Sequence, residues 1–184
     1  SFVRSTIGVA SGKWYFEVKN VVNTNGQSVG ITDNASPSDT HELGYNPFEV
    51  AYINTGEKVS NSSVTSYANT YTTNDIIGVA LDLDNNALYF SKNGTFQNSG
   101  DPTSGASKTG AISITAPSST NTGFYFFCVS DMSGAQTATW SANFGSAPYS
   151  ISSGNSDGNG YGNFEYSVPS GYYALNTKNL AEYG

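Results

Sequence analysis

The sequence is poor in the side chains that carry most protein chemistry. It has one cysteine, Cys128, one histidine, His41, and one methionine, Met132. A single cysteine excludes an internal disulfide. With a single histidine it also excludes an ordinary zinc site, which needs four ligands drawn mostly from those two residue types. Any serine or cysteine nucleophile would have to use His41 as its base. Positive charge is scarce as well. Seven Lys and Arg residues stand singly against 14 Asp and Glu, for a net charge of −7. Nucleic acid is therefore not an expected partner, because phosphate binding needs clustered cations, and an anionic membrane surface is disfavoured for the same reason. No apolar run approaches the ~20 residues of a membrane-spanning helix, so no membrane insertion is expected. No secretory leader is visible, and no segment shows a helical period or an internal repeat. The chain opens at Ser1 rather than Met, so it is expected to be a processed product or a part of a longer protein.

What the sequence does have is aromatic and small polar residues: 13 Tyr, 10 Phe, 2 Trp and 20 Gly, with many Asn, Ser and Thr. These are poor or indifferent helix formers and good material for strands and turns. The chain length suits one domain, here residues 1–184, with a core large enough to fold without disulfides or metal. Residues 13–19 (KWYFEVK) alternate, with Trp14, Phe16 and Val18 on one face and Tyr15, Glu17 and Lys19 on the other. Residues 28–32 and 48–54 are further strands, and 64–67 a weaker one. The strongest segment is 76–83 (IIGVALDL), with Ile77, Val79, Leu81 and Leu83 facing one way and Gly78, Ala80 and Asp82 the other. Asp84-Asn85-Asn86 is an expected hairpin turn into 87–92, and Asn93-Gly94 a second tight turn of type I′ leading to a short strand at 95–97. Residues 123–130 (GFYFFCVS) are apolar on both faces, as a central strand would be. Residues 137–144 (TATWSANF) alternate, with Ala138, Trp140, Ala142 and Phe144 inward, and 171–177 make a closing strand. The stretches 98–110 and 145–170 are polar loops.

These segments match one pattern in order: KWYFEV, SVGI, DIIGVALDLDNNALYFSKNG over residues 75–94, YFFCVS, ATWSANFG and PSGYYALNTKNL. Over roughly residues 8–180 the chain resembles the SPRY domain. The resemblance implies an all-β fold, a bent two-sheet antiparallel β-sandwich of concanavalin-like jelly-roll architecture. It also implies protein–protein recognition through loops at one end, with no cofactor and no chemistry. The Ser-Ala-Asn-Phe-Gly strand end and the tail at 168–180 look like SPRY domains of tailed-phage structural proteins. That likeness places the chain in a virion, as a tail-fibre, appendage or decoration domain within a homo-oligomeric assembly. Its expected partners are other virion subunits or a host-surface protein or glycan.

The resemblance also indicates which loops bind. They are 32–47, carrying His41, Glu42 and Tyr45, and 130–136, carrying Asp131, Met132 and Ser133. Tyr combines apolar area with a polar end, and Met adapts its shape to a partner. Tyr67, Tyr71 and Tyr161 are further candidate exposed aromatics.

Other chemistries that the sequence suggests have plainer readings. Asp82 and Asp84 beside Asn85-Asn86 offer oxygen atoms to calcium, but a hairpin needs those residues for its geometry. Residues 155–160 (NSDGNG) resemble the start of a calcium loop, yet position twelve is Tyr166 instead of Glu, and a flexible loop accounts for the composition. Cys128, inside an apolar strand, is expected to be a buried structural residue. Three alternatives to the virion module stand open. A lectin-like carbohydrate-binding module would use aromatic loops for stacking. A bacterial extracellular fibre subunit would share the acidic, Cys-poor composition. A glycan-cleaving enzyme would need two carboxylates facing a cleft, whereas most acids here read as turn or surface positions.

Overall fold

The strongest period-two segment folds as the expected hairpin in the computed structural model, which describes residues 1–23, 26–36, 38–131 and 137–184. The chain runs through β1 (Phe2–Arg4), β2 (Lys13–Val22), β3 (Gln27–Thr32), β4 (Ser38–Asp39), β5 (Val50–Ile53), β6 (Glu57–Ser60) and β7 (Ser63–Ser66). There follow β8 (Ile76–Asp82), β9 (Ala87–Lys92), β10 (Thr95–Phe96), β11 (Ile112–Ser113), β12 (Phe126–Asp131), β13 (Thr139–Asn143), β14 (Tyr173–Ala174) and a helix, α1 (Thr177–Tyr183). The architecture is all-β, in two sheets that are antiparallel apart from the parallel pairing of β14 with β2.

Contacts group the described residues into two units. The first, Ser1–Ala10, Val21–Thr73 and Ile114–Trp140, carries the sheet ordered β4-β1-β12-β3-β5-β6-β7. As its apolar pattern requires, β12 is an interior strand, paired with β1 and β3. Phe2, Leu43, Ala51, Ile53, Val59 and Cys128 form a buried cluster here. Gly30 in β3 lies so close to β5 that a Cβ on it would stand 1.8 Å from the Val50 carbonyl oxygen, so no other residue fits.

The second unit, Ser11–Asn20, Asn74–Ser113 and Ser141–Gly184, carries β10-β9-β8-β2-β13, with β11 beside β9 and β14 beside β2. Its turns follow from their residues. Asp82 accepts from the Asn85 backbone N–H at 2.9 Å and from the Asn85 side-chain amide at 2.8 Å, and Asn86 takes φ +54°. The acidic turn is thus satisfied from within, and Lys13 pairs with Asp82 at 3.1 Å. Asn93 and Gly94 both take positive φ, as a type I′ turn demands.

The structure departs from the sequence reading in four places. Tyr15 and Glu17, expected to face outward, are both buried. Residues 164–166 fold over them: the Phe164 ring meets Tyr15 edge-on at 5.2 Å, and the Glu165 and Tyr166 backbone N–H groups donate to Glu17. The inward alternation expected over 137–144 is also broken. Ala142 is exposed and Asn143 buried, because the Asn143 side chain donates to the Asn163 carbonyl at 2.9 Å and accepts from Gly145 N–H at 2.8 Å. The closing strand is two residues long, and a helix follows where none was expected. The helix starts on Asn176, whose side chain accepts from the backbone N–H groups of Lys178 and Asn179, and at seven residues it is too short to show a period. Tyr71, a candidate exposed aromatic, is buried, with its hydroxyl donating to the carbonyls of Gln27 and Tyr52.

Candidate functional site

In the first unit, the loop between β4 and β5 is organised around one buried carboxylate. Glu49 is 1% exposed. Its Oε1 accepts from the Thr32 hydroxyl at 2.9 Å and pairs with His41 Nε2 at 2.9 Å. Its Oε2 accepts from the backbone N–H groups of Gly44 at 3.0 Å and Asn46 at 3.3 Å. Both oxygens are therefore occupied, and residues 41–46 are bent around them. The loop presents Tyr45, 38% exposed, together with Asn46 and Pro47, to solvent. Phe48 closes the bend with φ +66°, a left-handed conformation that a bulky residue adopts only where its surroundings enforce it.

Of the predicted site residues, His41 and Glu42 are half-buried and Tyr45 is exposed. The second predicted loop begins beside the first. Ser130 Oγ lies 3.4 Å from Leu43 N–H and donates to the Ser1 carbonyl at 2.9 Å. The backbone of Asp131, at the end of β12, bonds Ser1 in both directions: its N–H donates to the Ser1 carbonyl at 2.8 Å and its carbonyl accepts from the Ser1 amine at 2.7 Å. Phe2 meets the His41 ring edge-on at 4.9 Å. The structure therefore brings His41, Glu42, Tyr45 and Asp131 onto one neighbourhood, with the N-terminal strand between the loops. Met132 and Ser133 lie outside the described residues.

A cleft of about 440 Å³ adjoins this loop, lined by Asp33, Asn34, Asn46, Pro47, Glu49 and the 121–122 turn. Two buried carboxylates thus face one cleft, which is the arrangement a glycan-cleaving enzyme needs. Both are used for structure. Glu49 is held by the four donors above. Asp33 accepts from Asn121 N–H at 3.0 Å through its side chain and from the Thr122 hydroxyl at 2.8 Å through its carbonyl. They tie three loops into a rim and leave Glu49 without a spare lone pair for a reacting oxygen. A smaller hollow of about 200 Å³ beside β1 is lined by Phe2, Val3, Val129, Asp131, Ala138 and Trp140. Val3 is 60% exposed there.

Sequence reasoning missed Glu49, Asp33, Phe2 and the 121–122 turn. One signal was legible: Glu49 is in period-two step with Ala51 and Ile53, which are both in the core. Cys128 is buried as expected, and burial together with the nearby Glu49 charge pushes its thiol pKa well up, away from reactivity. In the second unit, Asp157 of the calcium-like stretch is committed to structure. It accepts from the backbone N–H groups of Asn159, Tyr161 and Ala174 at 2.9 Å and from Asn179 Nδ2 at 2.7 Å. Among the described residues, no group of three or more His, Cys, Asp or Glu is placed to hold a metal ion.

The family model for the SPRY domain matches residues 13–129. Two curated relatives are ATP-dependent RNA helicase DDX1 of Xenopus laevis, 36% identical over 91 residues, and the probable ATP-dependent RNA helicase ddx1 of Dictyostelium discoideum, 30% identical over 93 residues. Each alignment spans 50% of this chain and 12% of the relative. The crystal structure of the SPRY domain of human HERC1 superposes with a TM-score of 0.58 at 18% identity, covering 77% of this chain and 80% of that one. That likeness bears out the expected fold class, a jelly-roll-like arrangement of two antiparallel sheets.

Proposed function

The chain belongs to the SPRY domain family, a family of protein–protein interaction modules, and from that premise we propose that it is a non-catalytic binding domain whose partner seats on the 41–47 loop and the neighbouring end of β12. The observation that carries this is the Glu49 knot, which holds Tyr45, Asn46 and Pro47 out on a pre-formed loop. A loop already bent needs little ordering on binding, so more of the contact energy appears as affinity. Hydrolysis gains nothing from this site, because the carboxylates that face the cleft serve as loop anchors.

The virion setting, with a neighbouring virion subunit or a host-surface molecule as partner in a multi-copy assembly, remains a finer proposal. It rests on the strand-end and tail motifs, while the curated relatives are eukaryotic helicase segments and lend it no support. The loop proposal is tested with a photo-crosslinking amino acid at position 45, irradiated in an extract of the source. A discrete adduct is expected that is absent when the crosslinker sits at Val64, on β7, and that is lost on Glu49→Gln. Adducts of equal yield from both positions would overturn the proposal. A glycan array separates it from the lectin-like reading: a saccharide hit that Tyr45→Ala abolishes would replace the protein partner with a sugar.

A further inference from the structure

The second unit holds a cleft that the binding loops do not use. Its volume is about 410 Å³, in the range of small-ligand sites, and its lining includes Gly12, Lys13, Asp84, Gly171, Tyr173 and Tyr183. Three features give it a definite chemistry. First, Tyr173 and Tyr183 stack, with ring centroids 3.9 Å apart and planes within 7°. This platform is held in place from below. Asp157 Oδ2 accepts both from Ala174 N–H, beside Tyr173 in β14, and from Asn179 Nδ2 in α1, so one carboxylate sets strand and helix in fixed relation. Second, Asp84 is exposed and accepts a single bond, from Gly12 N–H to Oδ1 at 3.1 Å; its Oδ2 has no partner among the described residues. Third, the cation in the lining is already spent. Lys13 pairs with the buried Asp82 at 3.1 Å and lies over the Tyr172 ring at 5.8 Å. The excess charge at the cleft is therefore that of Asp84, in a chain of net charge −7.

A stacked aromatic pair and a half-free carboxylate lining one cleft suit a flat cation with forked donors. A guanidinium meets both demands at once, since it stacks on an aromatic face and donates two parallel bonds to a carboxylate; an ammonium does not. We propose that this cleft is a second binding site, which takes an arginine side chain of a partner polypeptide, with its guanidinium on the Tyr173–Tyr183 platform and its fork on Asp84. The site is independent of the loop reading above.

The test uses the full chain, isotopically labelled, titrated with acetyl-Gly-Arg-Gly-amide and followed by amide chemical shifts. Saturable shifts are expected at Gly12, Gly171 and Tyr173, with the Gly-Lys-Gly peptide binding about tenfold more weakly because it cannot stack and fork together. Asp84→Asn keeps the acceptor for Gly12 and removes the charge, so the spectrum stays native while the arginine peptide loses about fivefold or more in affinity. Tyr183→Leu removes the platform and weakens binding comparably, while the Asp157 bonds still hold α1. Equal binding of the Arg and Lys peptides, unchanged binding by a folded Asp84→Asn chain, or shifts confined to residues 41–47 would each overturn the proposal. So would saturable binding of methyl glucoside at Gly12 and Gly171 where the arginine peptide gives none, which would make the cleft a sugar site.

Discussion

Two buried glutamates anchor loops in this protein, and they do so under different terms. Glu49, in the first unit, has donors for both oxygens and a histidine among them. Glu17, in the second, accepts from the backbone N–H groups of Glu165 at 2.9 Å and Tyr166 at 2.8 Å and from the Tyr15 hydroxyl at 3.2 Å. All its donors are neutral, and Glu165 adds a like charge nearby. Burial is the largest influence on Glu17 and lifts its pKa above the ordinary glutamate value, against the opposing pull of those hydrogen bonds. The comparison teaches that similar bonding serves two ends. Around Glu49 it shapes a loop for contact with a partner. Around Glu17 it fastens a polar segment down over the sheet.

The largest effect should come from removing the better-satisfied anchor. Glu49→Ala leaves the Thr32 hydroxyl, two backbone N–H groups and His41 without their acceptor in a buried place, and unfolding free energy should fall by about 3 kcal/mol or more. Urea denaturation measures this, and a loss under about 1 kcal/mol would mean that the loop holds its shape without the carboxylate.

The second prediction uses pH. The folded state raises the Glu17 pKa, so folding favours its protonated form. Its contribution to stability is therefore fully present below the unfolded value and is lost as pH rises through the folded pKa. Melting temperature compared between the wild type and Glu17→Gln should show the wild type losing ground to the variant as pH rises from about 4 towards neutrality. At the acid end the variant should sit about 1 kcal/mol lower, since its amide cannot accept from both N–H groups. Parallel profiles would mean that burial does not raise the Glu17 pKa.

The smallest effect on stability sharpens the comparison most. Tyr45→Ala removes an exposed ring from the pre-formed loop, so unfolding should shift by no more than about 0.5 kcal/mol. Partner affinity, read by titration calorimetry once the partner is captured, should fall by about 2 kcal/mol if Tyr45 is an anchoring contact. A stability loss as large as that for Glu49→Ala would instead make Tyr45 part of the scaffold.

The hairpin of β8 and β9 was legible in the sequence because everything that determines it is local: a period-two run, an Asp and Asn turn, and an Asn-Gly that takes positive φ. The neighbourhood of His41, Glu42, Tyr45 and Asp131 was legible through a family pattern alone. Its organiser was not, since a glutamate reads as a surface residue. Glu17 and Asn143 were misread in the same way, by assigning polar residues to solvent.

The sequence by itself determined most of the strands along the chain, the tight turns of the central hairpin and the absence of clustered positive charge, because periodicity, turn chemistry and composition act between near neighbours or over the whole chain. Only the tertiary structure decided which acids lie inside. Glu17 is buried because residues 164–166, far along the chain, bring N–H groups to it, and Glu49 because Thr32 and a bent loop do. A charge is tolerated in the interior where distant donors converge on it, and that convergence is a property of the fold.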